Sequence, residues 1–233
     1  MKQSLFFFAL TIFFISCTTN SKIGGSTGIT EAEAAQGIRQ ALEQGVEKGI
    51  SLLNKQDGFF NNPTYKLMLP PEAQTIENTF RKLGMGPMVD RAVLQINRAA
   101  EDAVGSARPI FTNAITQMSV TDAINIVKGP SNAATQYFKE KTMDKLIAAF
   151  TPIIKSSLDK FSATKYYADV INTYNGFPTT INKLNPDLNS YVVNKTIDAL
   201  FDQVAKEEQN IRSDRKARTT EILKKVFGNA SRG

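Results

Sequence analysis

Thr30-Glu31-Ala32-Glu33-Ala34-Ala35-Gln36-Gly37-Ile38-Arg39-Gln40-Ala41-Leu42-Glu43-Gln44-Gly45-Val46-Glu47-Lys48-Gly49-Ile50-Ser51-Leu52-Leu53 is the stretch on which the fold class turns. It opens with the pattern of a capping box, in which the Thr30 hydroxyl accepts from the N–H three residues on and Glu33 reaches back. Ile38, Leu42, Val46, Ile50 and Leu53 then recur at helical spacing to about Asn54. Gly37, Gly45 and Gly49 lie inside this run, although glycine costs a helix about 1 kcal/mol against alanine. That cost makes sense where a second helix must come close, so this helix is expected to be central.

The same punctuation repeats downstream. Asp57 to Pro63 reads as a turn-rich loop and Tyr65-Lys66-Leu67-Met68-Leu69 as a short extended segment closed by Pro70-Pro71. Pro71 is placed to start a helix over 72–83, with Gly84 as its stop. Pro87 opens another, which Pro109 should interrupt, and Ile110, Phe111, Ala114, Ile115 and Met118 resume the pattern. Ser119-Val120-Thr121-Asp122 is a second cap, for a short helix ending at Gly129-Pro130. Helices are expected over 131–141 and 142–161 (bent at Pro152), from a Thr164 cap to Tyr174, from an Asp187 cap to Arg212, and over 217–227. No alternating strand pattern and no internal repeat is present. The expectation is an all-α bundle of about nine helices, one domain over residues 30–228 with a tail at 229–233, and at most one extended segment near 65–69.

Working back toward the N-terminus, Lys2 is followed by the apolar run Leu5 to Ile15 and then Ser16-Cys17. A run this short cannot span a bilayer, which takes about 20 apolar residues, and it reads as an export signal. Phe14-Ile15-Ser16-Cys17 resembles the bacterial lipobox, with Phe14 where leucine is commonest. The resemblance implies cleavage before Cys17, removal of residues 1–16 and acylation of the Cys17 thiol. Residues 17–29, rich in Ser, Thr and Gly, would form a flexible tether. Thr18-Thr19 lack the Asp of an enterobacterial retention signal, which by the same resemblance implies the outer rather than the inner membrane. The expected place is the cell envelope, lipid-anchored and periplasm-facing.

Composition narrows the chemistry. The chain of 233 residues has no histidine and one cysteine, so Ser-His-Asp, Cys-His and Cys/His zinc chemistry are excluded. No metal, no cofactor and no catalytic residue is expected. Tryptophan is also absent, which argues against carbohydrate stacking. The net charge of +6 is spread along the chain, except for the dense run Arg212-Ser213-Asp214-Arg215-Lys216-Ala217-Arg218. That run reads as a solvated turn with helix-end charges, against an anion or lipid-headgroup site; nucleic acid is not expected as a partner of an exported protein.

Several blocks line up with a known family. They are Asn97-Arg98-Ala99-Ala100-Glu101, Ile110-Phe111 with Ala114-Ile115 and Met118, Asp122-Ala123, Gly129, Ala133-Ala134-Thr135 with Tyr137-Phe138, and Phe150 with Pro152. Leu200-Phe201, Ala205, Glu207-Glu208, Ile211-Arg212, Arg218-Thr219-Thr220 and Val226-Phe227-Gly228 complete the set. Together they resemble the bacterial family called domain of unknown function 4197, across nearly all of 30–228 and as a lipoprotein-type member. Asp214-Arg215 departs from the family's Asn-Pro-like turn. The resemblance implies architecture and an exported context, and no mechanism.

Two constellations stand out as candidate sites. Glu207, Glu208 and Arg212 on one helix, with Arg218, Thr219 and Thr220 opening the next, place carboxylates, a guanidinium and free N–H groups at one junction. They form either a seat for a small anionic ligand or an ion-paired corner holding the last helix down. Asn97 and Glu101, one turn apart beside Ala99-Ala100, are expected as buried polar groups bonded to a neighbouring backbone, or as a carboxylate with raised pKa. The leading expectation is a non-enzymatic binding or envelope-structure module anchored to the membrane through its lipid. A carrier of an apolar ligand between helices and a carboxylate enzyme using Glu101, Glu207 or Glu208 are the alternatives.

Overall fold

The computed structural model describes residues 30–229 apart from 179, 182 and 185–187. Residues 1–29, and with them the expected signal, Cys17 and the expected tether, lie outside the described residues. The fold is all-α, and no strand occurs among the described residues. Its helices are α1 (Glu31–Leu53), α2 (Gln74–Lys82), α3 (Gly86–Ala103), α4 (Arg108–Thr116), α5 (Val120–Lys128), α6 (Ala133–Lys160), α7 (Ala163–Asn175), α8 (Asn189–Ser213) and α9 (Glu221–Asn229). None is long and apolar enough to cross a membrane.

Helix α1 begins at the capping box read from its sequence: Glu33 N–H donates to the Thr30 hydroxyl at 3.2 Å and Thr30 N–H donates to the Glu33 carboxylate at 2.9 Å. Its apolar stripe is fully buried. Helix α8 runs antiparallel along it, and α4, α5 and α9 complete its surroundings. The glycines make this possible. A Cβ at Gly37 would meet Val226 at 2.6 Å, and one at Gly49 would meet the Gln203 Cβ at 3.0 Å. On the far side of α8 lies α6, which also packs on α3, and α3 carries α7. Phe111 of α4 meets Phe138 of α6 and Phe201 of α8 edge-on, with centroids 5.3 and 5.7 Å apart. Edge-to-face pairs of this kind add about 0.5–1.5 kcal/mol beyond burial.

Several boundaries differ from the sequence expectation, each for a local reason. The helices expected over 131–141 and 142–161 are one helix, α6, because the Thr142 hydroxyl turns back to the Phe138 carbonyl at 2.6 Å instead of capping a new start. The same helix continues through Pro152. Thr164 does not cap α7; its hydroxyl bonds Asp159 at 3.2 Å, and the chain turns at Ser162 with φ of 55°. Pro109 falls in the first turn of α4, after a 3-10 turn over 104–107 has absorbed the break. The terminal helix expected over 217–227 divides into a 3-10 turn over 215–217 and α9, which starts at Glu221. The Asp187 cap falls outside the described residues.

Candidate functional site

The C-terminal cluster is brought together as one corner, and every member is committed to the protein. Helix α6 has no side-chain cap of its own at Asn132. Glu208 supplies it from α8: its carboxylate accepts from Ala134 N–H at 3.0 Å, Thr135 N–H at 2.9 Å and the Thr135 hydroxyl at 2.8 Å. Arg212, one turn along, holds the same carboxylate at 2.9 Å and donates to the Ile126 carbonyl at the end of α5. Glu207 points elsewhere, taking Gln44 at 2.5 Å and Lys48 from α1. Thr219 and Thr220 precede α9; their hydroxyls donate to Gln44 and Gln40 at 2.6 and 2.7 Å. Arg218 closes α8, donating to the Ile211 and Arg212 carbonyls at 2.8 and 2.9 Å. The apolar void behind this corner, lined by Ile38, Leu42, Val204, Ile211 and Phe227, measures about 10 Å3. That is too small for an organic ligand.

Asn97 and Glu101 are both buried on α3. Asn97 acts as a substitute for a sheet partner. It donates to the Leu67 carbonyl at 2.7 Å and accepts from Leu67 N–H at 2.8 Å, pinning a segment whose start is a turn. Tyr65 and Lys66 N–H both donate to the Asn62 carbonyl, so the extended stretch expected over 65–69 is shorter than that. Glu101 accepts from Phe59 and Phe60 N–H at 3.1 and 3.0 Å and from Arg98 at 2.6 Å, fixing the loop after α1. Glu101, Glu207 and Glu208 share no partner and do not converge on a common cleft.

The group with room beside it was not singled out by sequence. Segment 64–74, held in place by Asn97, lies over the outer face of α8 and leaves a cleft of about 480 Å3. Tyr65 forms its floor, and Lys66, Tyr191, Lys195, Asp198, Asp202 and Lys206 stand around it. The Tyr65 hydroxyl donates to Asp202 and accepts from Gln203 and, at 2.8 Å, from Lys206. Lys206 also pairs with Asp202 at 2.7 Å. Burial first, then the Asp202 carboxylate, push the phenol's pKa up against the opposing Lys206. Burial works to raise Asp202, but hydrogen bonds from Lys206 and Tyr65 outweigh it and hold its pKa down. Asp202 and then Tyr65 raise Lys206. At neutral pH the trio is a neutral phenol, a carboxylate and an ammonium. Lys195 and Asp198 have no side-chain partner among the described residues. The available signal was the helical spacing of Lys195, Asp198, Asp202 and Lys206, one charged stripe on α8; Tyr65 lies far away in sequence.

No curated protein and no solved structure matches the chain. Residues 28–228 match the family described as protein of unknown function, DUF4197, a span that runs from just before the Thr30 cap to the end of α9, and the chain belongs to that family.

Proposed function

We propose that the protein is a non-enzymatic binding module of the bacterial cell envelope, exported, lipid-anchored through Cys17 and periplasm-facing at the outer membrane, and that the cleft between residues 64–74 and α8 takes a small polar ligand of net negative charge. The observation that carries the binding reading is the Tyr65–Asp202–Lys206 trio lining a cleft of about 480 Å3. A site built for recognition offers a concave surface with a few fixed polar groups. Here the phenol is fixed by three partners, while Lys195 and Asp198 are free to bond a ligand. Three lysines against two aspartates favour an anion. The pKa directions move all three groups of the trio away from neutrality, which suits hydrogen bonding and not proton transfer.

The anchored location rests on Lys2, the apolar run to Ile15 and the lipobox-like Phe14 to Cys17. It is compatible with the geometry of the bundle. Gly49 faces Gln203 beside the cleft, and α1 rises about 28 Å from Thr30 to that level. The cleft therefore lies toward the end away from the tether. Native mass spectrometry of the protein extracted gently from its own membranes tests both halves. The expected species begins at an acylated Cys17 and retains a small molecule that a Lys195→Ala/Lys206→Ala variant loses. Retained residues 1–16 or a free thiol would overturn the location. A variant that keeps the molecule would overturn the cleft.

A further inference from the structure

Arg218 is 3 % exposed, and no carboxylate of the described residues touches it. Its Nε and Nη2 are spent on the Ile211 and Arg212 carbonyls, and Nη1 has no partner among the described residues. Two carbonyls compensate a buried guanidinium only in part, and proteins normally give such a charge an acid as well. Beside it lies a cavity of about 220 Å3 lined by Arg215, Arg218, Lys224 and Gly228. Among the described residues the exposed Arg215 side chain has no partner, and Lys224 pairs only with Glu221, itself 90 % exposed. We infer that this cavity is an oxyanion site that takes a phosphate group.

A charge placed to complement the C-terminal end of α8 would explain Nε and Nη2. They leave Nη1, Arg215 and the space between them unaccounted for. The two carbonyls hold the Arg218 guanidinium still before anything binds, so its ordering is not charged to the ligand. Its planar fork suits phosphate oxygens, and the exposed ends of Arg215 and Lys224 can reach the remaining ones. The cavity exceeds a bare phosphate, leaving room for an ester substituent. Lys225 binds Glu33 at 2.5 Å and Val226 lies against Gly37, so α9 returns to the end of the bundle where α1 begins. If the chain is anchored through Cys17, this is the end nearest the membrane, and the nearest phosphates are phospholipid headgroups. Free phosphate is the other source. The site is remote from the Tyr65 cleft, and its fate is independent of that reading.

The test uses the full chain in a neutral detergent, titrated with inorganic phosphate by calorimetry and, separately, with micelles carrying phosphatidylglycerol. Arg215→Gln/Lys224→Gln removes two exposed cations, of which Lys224 pairs only with the exposed Glu221; Lys82→Gln/Lys145→Gln is the charge-matched control. Phosphate binding weakened tenfold or more in the first variant, and unchanged in the control at equal thermal stability, supports a site for free phosphate. The same pattern with phosphatidylglycerol micelles alone assigns the headgroup. Binding of neither probe, or equal weakening in both variants, overturns the inference.

Discussion

Glu208 does the work of a cap residue for a helix it does not belong to. Local sequence at Asn132 and Ala133 gives α6 no side-chain acceptor, and the missing acceptor arrives from 73 residues away in Thr135's case. Glu208→Ala strips two N–H groups, a hydroxyl and Arg212 of their partner at once. Breaking a buried pair on one side costs about 3–5 kcal/mol. Because Arg212 keeps some contact with solvent, the expected loss is about 3 kcal/mol, measured by urea unfolding; a loss below about 1 kcal/mol would mean that α6 is started by something else. At this scale the sequence was half legible. The type and spacing of Glu207, Glu208 and Arg212 marked a junction, and Asn97 and Glu101 marked buried polarity. Which partner each would find was hidden, because the bonds to Leu67, Phe59 and Ala134 are made by tertiary contact. Tyr65 was invisible for the same reason: its partners Asp202, Gln203 and Lys206 are fixed by the fold and by no local pattern.

Among elements, the legible ones are those whose start signals are local. The boxes at Thr30 and Ser119 form as written, with Asp122 N–H donating to the Ser119 hydroxyl at 3.1 Å. The errors fall where a threonine hydroxyl has two ways to be satisfied. Thr142 and Thr164 have the residue type of a cap and spend it otherwise, one along its own helix and the other on Asp159. Glycine meaning also depends on what lies opposite. A Cβ at Gly45 would sit 3.5 Å from the Glu207 Cβ, an ordinary contact, whereas at Gly37 it would strike Val226. Gly45→Ala should therefore stabilise, by up to about 1 kcal/mol from helix propensity alone. Gly37→Ala should destabilise by about 1–3 kcal/mol, as overpacked sites do. Thermal unfolding of the two variants side by side checks the opposite signs; a gain for both would show that α9 can move away from α1 freely.

Across the whole molecule, Glu33 serves two structures: it completes the cap of α1 and clasps Lys225 of α9. The hydrogen bond from Lys225 first, then that from Thr30 N–H, lower its pKa from 4.5 to about 2. A carboxyl with a lowered folded pKa contributes stability that is fully present above its unfolded value and is lost as pH falls toward the folded one. The clasp should hold above about pH 4.5 and fail progressively toward pH 2. Amide exchange in α9 and the first turn of α1 should accelerate over that window, and in Glu33→Gln it should already be fast at neutral pH. Equal exchange in the two proteins at neutral pH would remove Glu33 from the account.

Meeting of the first and last helices also sets the order in which the molecule can be finished. A growing polypeptide brings out α1 at once but has nothing to lay over Gly37 until α9 emerges at the other extremity. Helices α4 and α5 can cover part of α1 within the first 128 residues, so the Gly37 face is what waits for the end of synthesis. A frameshift late in the message would strip Gly37 and Glu33, on the earliest helix, of what covers them.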